Sequence, residues 1–384
     1  MSWTIFYTTE HQEATILGCF GSEPSLSLPD EIDGFPVVRL GPSCFGNGQS
    51  DKAETDAPGK INLVRGTPPS PGSGCPALKR LSLPARLREI QTRGLAGCSA
   101  LIRLELPQSL TELGDRVFDH CGSLTRLLLP AGLTRLPGYA FADCRSLESL
   151  TIPPSVTAIG SQCFYNCTHL QYMDLPCALQ TIGSGLFMNC SRLKRLSFPG
   201  GINASVLLAD LYQKLEVTVY TESRSIRLLF PEYAYEFEDV VMPRQFRTIT
   251  YGSGGRYREC ITGDTIDLEL YDSLFRVAKL EEDPETVALL ALFRLMTPEG
   301  LRPERQTQYL SYLHEHLAPL GQMLIARCLE SELEFLLTRC SLEPQHLDTL
   351  LECASQGDHP RLVSRILDAK ALFPSSGTNK TFEL

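Results

Sequence analysis

Two cysteines and a histidine in the middle of the chain could bind a soft metal ion. Cys163 and Cys167 lie four positions apart on a predicted turn, and His169 follows closely. Thiolate sulfur and imidazole nitrogen are the ligands that zinc prefers. Cys167, however, occupies a position that recurs regularly along the chain, and Phe164 beside it must point inward. A structural role for both cysteines is therefore favoured, and we predict neither a metal nor a cofactor.

Two other fragments carry groups that could bind a ligand. Residues 252–255, Gly-Ser-Gly-Gly, follow a predicted strand and could hold a phosphate through backbone N–H groups. No helix start is visible after them, so a hairpin turn is favoured. His314 and His316 lie two positions apart on a predicted helix and must point in different directions. We interpret both histidines as solvated surface residues.

The motifs of several common enzyme classes are missing from the sequence. It contains no Gly-x-x-x-x-Gly-Lys-Ser/Thr, no His-Glu-x-x-His, no Gly-x-Ser-x-Gly and no paired Cys-x-x-Cys. We therefore expect a protein without enzymatic activity and predict no catalytic residue. The alternative is that residues 201–384 form an enzymatic or regulatory domain of another kind, which the remainder of the chain targets.

The strongest functional candidates recur every 23 residues at one outward-facing position of a predicted strand. This column consists of Arg80, Arg103, Arg126, Ser149, Tyr172 and Arg195. A parallel column adds Leu128 as an apolar contact, and Glu105 and Asp174 as ion-pair partners. Arginine and tyrosine are enriched at the energetically important positions of protein interfaces. We predict that this face binds a protein or another anionic macromolecule. The alternative is that duplication copied a solvated arginine whose stem covers the strand.

These columns belong to a repeat of 23 residues that runs from Leu78 to Pro199 without insertion or deletion. Each unit reads Leu-x-x-Leu-x-Leu-Pro, then Leu/Val-x-x-Ile/Leu-Gly, then Phe-x-x-Cys. The first block alternates apolar and polar residues and predicts a short strand that proline ends. Glycine should permit a bend, and Phe-x-x-Cys should form a short helical turn. Such a fixed period indicates a solenoid, in which each unit buries its apolar face against its neighbours.

The repeat resembles the BspA-type leucine-rich repeats of bacteria. Its clearest copy is Leu147-Glu-Ser-Leu-Thr-Ile-Pro153, then Val156-Thr-Ala-Ile-Gly160, then Phe164-Tyr-Asn-Cys167. One diverged unit upstream contains Leu26-Ser-Leu-Pro29, Val38-Arg-Leu-Gly41 and Phe45. Within the array, Gln91 and Pro137 replace the glycine and Leu95 replaces the phenylalanine. The resemblance implies a protein that binds other proteins. Many relatives resemble surface adhesins, so a cell-surface adhesin is the alternative function.

Composition and charge limit the class of protein. The hydrophobic content of 43% and charged content of 21% are ordinary for a soluble globular chain, and no apolar run approaches the ~18–20 residues of a membrane span. The N-terminal residues lack the pattern of a secretory signal, so we expect the cytoplasm, with the cell surface or secretion as the alternative. In that compartment the 14 cysteines are expected to be reduced.

The net charge of −10 is distributed unevenly along the chain. Residues 78–200 carry 13 basic and 8 acidic side chains, whereas residues 261–384 carry 11 and 20. The basic repeats could attract an anionic partner or the acidic C-terminal region. Nucleic-acid binding is not expected, because no aromatic residue other than Tyr172 interleaves with the arginines and the whole chain is acidic.

An α+β fold with five segments follows from these patterns. Residues 1–47 form an N-terminal cap with one diverged repeat, residues 48–74 a flexible Gly/Pro insertion and residues 75–200 the regular array. Residues 201–260 form a β-rich connector with strands near 215–219, 226–230, 233–237 and 246–251. Residues 261–384 form an acidic α-helical domain, in which Asp283 caps one helix. Further helices are expected at 303–317, 319–328, 331–340, 345–355 and 360–371. The last two are weakly similar to an ankyrin helix pair, and an unrelated helical bundle is the alternative.

Overall fold

Two compact units make up the protein. A computed structural model describes residues 3–47, 61–68, 70–72, 74–222, 224–240, 245–340, 342–356 and 360–371. The first unit takes the described residues up to Ser225, together with Glu232–Thr250 and Ile261–Ile266. The second takes Ile226–Pro231, Tyr251–Cys260 and the described residues from Asp267 onward.

The N-terminal part of the first unit is a β-hairpin with a parallel strand on each side. Its strands are β1 (Trp3–Glu10), β2 (Glu13–Gly21), β3 (Ser25–Ser27), β4 (Glu31–Ile32), β5 (Phe35–Leu40), β6 (Phe45–Asn47) and β7 (Ile61–Arg65). β1 and β2 pair antiparallel, and β7 and β5 lie outside them. The segment expected to be a flexible insertion therefore contains a strand, in which Ile61, Leu63 and Val64 favour β-structure and which pairs in parallel with β1. Residues 48–60 of that segment lie outside the described part.

The diverged repeat predicted upstream of the array is confirmed by strand register. The first strands of this unit and the next repeat pair in parallel, with Leu26 opposite Leu81. Their second strands pair likewise, with Leu40 opposite Ile90. The N-terminal hairpin and the second strands of the first repeats therefore belong to one sheet.

Each regular repeat contributes two short segments, which pair in parallel with the same segments of its neighbours. The strands are β8 (Arg80–Ser82), β9 (Glu89–Ile90), β10 (Arg103–Glu105), β11 (Glu112–Leu113), β12 (Arg126–Leu128), β13 (Arg135–Leu136), β14 (Ala158–Ile159), β15 (Tyr172–Asp174), β16 (Thr181–Ile182) and β17 (Arg195–Pro199). Only the first segment was predicted as a strand. The second is a two-residue strand, too short to show alternation in sequence.

Beyond the repeats, the sheet continues past residue 200 into the predicted β-rich connector. The elements here are α1 (Ala204–Leu208), β18 (Leu215–Tyr220), β19 (Ser225–Phe230), β20 (Ala234–Val240), β21 (Gln245–Tyr251), α2 (Gly254–Arg258), β22 (Ile261–Thr262) and β23 (Thr265–Ile266). β18 pairs in parallel with β17. The Gln213 side chain donates to the carbonyls of Cys190 and Leu193 at 3.1 Å each. Gln213 thus connects the segment after the array to two backbone carbonyls of the last repeat.

Stacked aromatic rings form the centre of the array. Phe118, Phe141, Phe164 and Phe187 are fully buried. Neighbouring rings lie 5.3, 5.5 and 5.6 Å apart, centroid to centroid, and are nearly parallel. Leucines that open the repeats surround them, and these too are inaccessible to solvent. One repeated side chain therefore fills the same space in four successive units.

A column of buried thiols runs beside the rings. The repeat cysteines are Cys75, Cys98, Cys121, Cys144, Cys167 and Cys190, all buried and free. The Cys144 thiol donates to the carbonyl of Phe118 at 3.2 Å, and Cys167 donates to Phe141 in the same way. Burial raises the pKa of both Cys98 and Cys190 to about 12. These thiols are therefore protonated inside the fold and act as small apolar groups with a weak donor.

Left-handed backbone at two positions of each repeat replaces the predicted helical turn. The first position, with φ between 53° and 64°, holds Arg93, Arg116, Tyr139, Gln162 and Gly185. The second, with φ between 55° and 75°, holds Gly97, His120, Asp143, Asn166 and Asn189. A left-handed residue cannot continue a right-handed helix. The segment forms successive turns instead, as where the Cys121 N–H donates to the Phe118 carbonyl at 3.1 Å.

The repeat glycine serves close packing between backbones, rather than the bend expected from sequence. A Cβ atom on Gly160 would lie 2.4 Å from the backbone nitrogen of Gly138, and one on Gly183 would lie 2.1 Å from that of Ser161. Neither glycine has a positive φ. The absence of a side chain therefore lets neighbouring repeats approach each other.

The substitution Gly183→Ala should lower the free energy of unfolding of the first unit by about 1–3 kcal/mol, because the methyl group collides with fixed backbone. Gly122→Ala is the matched control, since the nearest atom to its added Cβ lies 4.0 Å away. Urea unfolding monitored by fluorescence of the buried Trp3, the only tryptophan in the sequence, measures both. Equal losses in the two variants would contradict this role of Gly183.

The second unit is mainly helical. From Asp267 onward its helices are α3 (Leu268–Ser273), α4 (Phe275–Glu281), α5 (Pro284–Met296), α6 (Pro303–Glu315), α7 (Leu317–Ala326), α8 (Glu330–Arg339), α9 (Pro344–Gln356) and α10 (Pro360–Ala371). The predicted cap is present, since the Asp283 carboxylate accepts from the Thr286 N–H at 2.9 Å. α9 packs against α7 and α10. The ankyrin-like character of α9 and α10 stays a prediction.

A buried ion pair connects three helices of this unit. The Arg294 guanidinium donates to both carboxylate oxygens of Asp272, at 2.7 and 2.8 Å. It also donates to the carbonyls of Thr297 and Glu299, while the Tyr309 hydroxyl donates to Asp272 at 2.7 Å. Burial alone would lower the pKa of Arg294, but the bonds to Asp272 outweigh burial and raise it. Hydrogen bonds thus compensate both the positive charge of Arg294 and the negative charge of Asp272.

None of the helices among the described residues is both long and apolar enough to cross a lipid bilayer.

Candidate partner-binding surface

The arginine column predicted from sequence is present on the first sheet of the array. Parallel pairing places Arg80 opposite Arg103, and Arg103 opposite Arg126. Single bridges carry the same register through Ser149 to Tyr172. Tyr172 in turn lies opposite Arg195. Because neighbouring strands in one sheet lie about 4.8 Å apart, the side chains of Arg80, Arg103 and Arg126 start from backbone positions at that spacing.

Arg80, Arg103 and Arg126 are exposed. Within the described part of the chain, their guanidinium groups make no ion pair or hydrogen bond. Other arginines of the array do, since Arg88 pairs with Glu13 at 2.8 Å and Arg145 with Asp143 at 2.9 Å. Like charges placed opposite each other on a sheet repel. This stretch of the surface therefore carries positive charge that the described residues do not neutralise.

The far end of the column differs, because its charge is already engaged. The Arg195 guanidinium lies 4.7 Å from the centre of the Tyr172 ring. It also lies 4.0 Å from the carboxylate of Glu216 on β18. Arg195 thus holds Tyr172 in place, and the ring keeps 42% of its surface exposed. The pair offers a rigid aromatic contact rather than a free cation.

The second column adds an apolar contact beside the arginines. Leu128 is 80% exposed, on the same strand as Arg126. Glu105 and Asp174 are also exposed and lie in the same outward-facing row as Leu128, Glu105 one repeat before it and Asp174 two repeats after it. A cavity of about 430 Å³ lies on this face, with Arg80, Arg103 and Glu105 in its lining. The surface thus combines cations, one large apolar side chain and an aromatic ring.

Cys163 and Cys167 lie inside the repeat stack rather than in a ligand site. Both are buried, and burial raises the pKa of each thiol. A raised pKa disfavours the thiolate form that binds metal. His169, in contrast, is exposed. The structural interpretation of the two cysteines therefore agrees with their surroundings.

Residues 252–255 do not form the hairpin turn expected from sequence. They lead into the short helix α2, and Ser253 is buried. The backbone N–H and the hydroxyl of Ser253 both donate to the Glu282 carboxylate, at 2.7 Å each. The loop therefore binds a carboxylate of the same chain, that of Glu282, and not a phosphate. This contact could not be predicted, because Glu282 lies 29 residues after Ser253.

His314 and His316 are half-buried rather than solvated. The His316 ring stacks on Tyr312 with 4.0 Å between ring centres. The Nε2 atom of His314 is shielded from solvent. The prediction of solvated surface histidines is therefore wrong.

One cluster of polar side chains in the array was missed by sequence analysis. Asp119, His120 and Asp143 have candidate ligand atoms within 4.8 Å of one another. They line a cavity of about 550 Å³ together with Arg93 and Arg145. The available signal was the position before the repeat cysteine, which recurs at 23-residue intervals and holds His120 and Asp143.

The repeat pattern corresponds to a known family model. Residues 73–194 match the model of the BspA type leucine rich repeat region in 6 copies. Residues 73–194 are a BspA-type leucine-rich repeat region. The resemblance read from the sequence is confirmed for these residues. The arginine column thus belongs to the strand positions of BspA-type repeats.

Several solved structures are similar to this chain. One is a leucine-rich repeat protein from T. pallidum, 27% identical, covering 51% of this chain and 70% of that one, with a TM-score of 0.34. Another is the pneumococcal vaccine antigen PcpA, with 16% identity, coverages of 51% and 80% and a TM-score of 0.23. A third is a leucine-rich repeat protein from Bacteroides ovatus, with 20% identity, coverages of 56% and 75% and a TM-score of 0.23. A search of the curated proteins finds no match.

Proposed function

We propose that the first unit is a non-enzymatic interaction module that binds an acidic segment of a partner protein along the exposed sheet face. The observation that carries this proposal is the run of three in-register arginines that make no ion pair with the described residues, Arg80, Arg103 and Arg126. Guanidinium groups pair with carboxylates through two parallel hydrogen bonds. An acidic partner segment would supply the carboxylates that these three arginines lack among the described residues.

Apolar contacts favour a protein over a simple polyanion as the partner. Leu128 and Tyr172 lie beside the arginines on the same face. Between them, the strand positions hold the small residues Ser149 and Thr151. A partner side chain would be accommodated above these two residues and bury surface against the larger ones. Aromatic and arginine anchors of this kind dominate the energetics of protein interfaces.

Reversal of the charges of Arg103 and Arg126 should weaken binding strongly. The double variant Arg103→Glu/Arg126→Glu should weaken the affinity for a fluorescent 20-residue poly-glutamate probe by about tenfold or more, because attraction becomes repulsion at the centre of the face. Fluorescence anisotropy measures this affinity. Wild-type binding should also weaken between 50 and 300 mM salt, since exposed charges are screened.

A matched control separates this face from the overall charge. Arg135→Glu/Arg192→Glu makes the same change in net charge at exposed arginines of the array outside the two columns. It should leave the affinity nearly unchanged. Equal losses in both double variants, or no loss in either, would contradict the proposal. The same pair of variants then serves as baits for host lysate, and a partner lost only with Arg103→Glu/Arg126→Glu identifies the ligand.

The compartment in which the module acts stays a prediction. The sequence favours the cytoplasm, and the cell surface is the alternative. Fractionation of host cells, followed by immunodetection of the chain, decides between them.

A further inference from the structure

The His120 ring lies between two carboxylates that belong to adjacent repeats. Its Nδ1 atom is 2.7 Å from an oxygen of Asp119, a hydrogen-bond distance. Its Nε2 atom is 3.7 Å from Oδ2 of Asp143. The second distance is too long for a hydrogen bond, which needs roughly 2.7–3.2 Å. It is close to the separation of two ligands around one tetrahedral zinc ion, roughly 3.4 Å.

Asp119 fixes which nitrogen faces outward. Its side chain is almost fully buried, and it also accepts from Arg116 at 3.3 Å. A carboxylate that accepts from one imidazole nitrogen orients the ring and leaves the other nitrogen free as a metal ligand. Asp119 therefore presents Nε2 of His120 towards Asp143.

Asp143 keeps one oxygen available on the side of His120. Its Oδ1 atom accepts from Arg145, at 2.9 and 3.1 Å, and from the Asn166 amide at 2.5 Å. Its Oδ2 atom faces Nε2 of His120. The bonds to Oδ1 fix the plane of the carboxylate, so that Oδ2 is held in one direction.

We propose that His120 and Asp143 bind a divalent transition-metal ion such as Zn²⁺, through Nε2 and Oδ2 respectively. Imidazole with a carboxylate suits this class of ion. The adjoining cavity of about 550 Å³ leaves room for water ligands. Arg93, Arg116 and Arg145 lower the affinity through their positive charge, so the site is weaker than a closed structural zinc site. The ion connects two adjacent repeats, and the proposal does not depend on the function of the arginine column.

Calorimetric titration of the full chain with Zn²⁺ under reducing conditions tests the site. Exposed Cys177 and Cys328 are first replaced by serine in every protein, because their thiols would compete. His120→Asn is the test variant, since asparagine already occupies the equivalent left-handed position at Asn166. His169→Asn removes another exposed histidine of the array and is the control.

The expected result is one Zn²⁺ site in the parent and in His169→Asn that weakens tenfold or more in His120→Asn. Saturating Zn²⁺ should also raise the melting temperature of the first two proteins but not that of His120→Asn, because a ligand bound to the native state stabilises it. Circular dichroism confirms that His120→Asn keeps its fold. Identical titrations in all three proteins, or equal losses in both variants, would overturn the proposal and leave the cluster as a hydrogen-bonded connection between repeats.

Discussion

The substitution Phe164→Ala should lower the free energy of unfolding of the first unit by about 3–5 kcal/mol. Phe164 is fully buried, and its ring stacks between Phe141 and Phe187 at 5.5 and 5.6 Å. Alanine would leave a cavity that the rigid turns on either side cannot close. Since each repeat is stabilised mainly by its neighbours, the loss affects two interfaces together.

Phe164→Leu provides the matched control for this prediction. Leucine already occupies the equivalent position in the array at Leu95, where it is fully buried. We expect it to retain most of the stability and to lose clearly less than alanine. Urea unfolding followed by Trp3 fluorescence gives both values. A loss below about 1 kcal/mol for Phe164→Ala would show that the ring stack contributes little.

The second large effect concerns the buried ion pair of the helical unit. Arg294→Met should lower the free energy of unfolding of this unit by about 3–5 kcal/mol, because it leaves the Asp272 carboxylate buried without its cation. The Tyr309 hydroxyl still donates to Asp272, but one neutral hydrogen bond cannot replace a bidentate guanidinium. Methionine has a similar length, so the loss reflects charge more than volume.

An exposed ion pair in the same unit supplies the control. Arg302 pairs with Glu269 at 2.6 Å, with 63% and 69% of the two side chains exposed. Arg302→Met should change the stability by about 1 kcal/mol or less. Thermal or urea unfolding monitored by circular dichroism at 222 nm, which reports mainly on α3–α10, measures both variants. Similar losses for Arg294→Met and Arg302→Met would refute the role of the buried pair.

Much of the repeat architecture could be predicted, because the 23-residue period fixes which residues are equivalent. Once the first strand is recognised by its alternation, equivalent residues such as Arg103 and Arg126 must face each other. The predicted column therefore appears with the predicted register. The diverged unit with Leu26 and Leu40 was recognised for the same reason, although its spacing differs from that of the regular repeats.

The features that sequence missed depend on contacts between distant residues. Glu216 neutralises Arg195 but lies outside the repeat, so no period connects them. Left-handed backbone at Arg116 and Tyr139 is not suggested by residue type, because neither favours that conformation. The role of Gly183 becomes visible only when the backbone of the preceding repeat is in place. His120 and Asp143 were missed because neither recurs as the same residue type.

The column of buried thiols makes the opening of the array measurable one repeat at a time. An alkylating reagent cannot reach Cys121 or Cys144 in the folded protein, and their protonated sulfur would react slowly even if it could. Each cysteine becomes modified only while its own repeat is open. Mass spectrometry of the modified peptides would give a separate opening rate at 23-residue intervals. The order of those rates would reveal whether the array frays from its ends or opens from its centre.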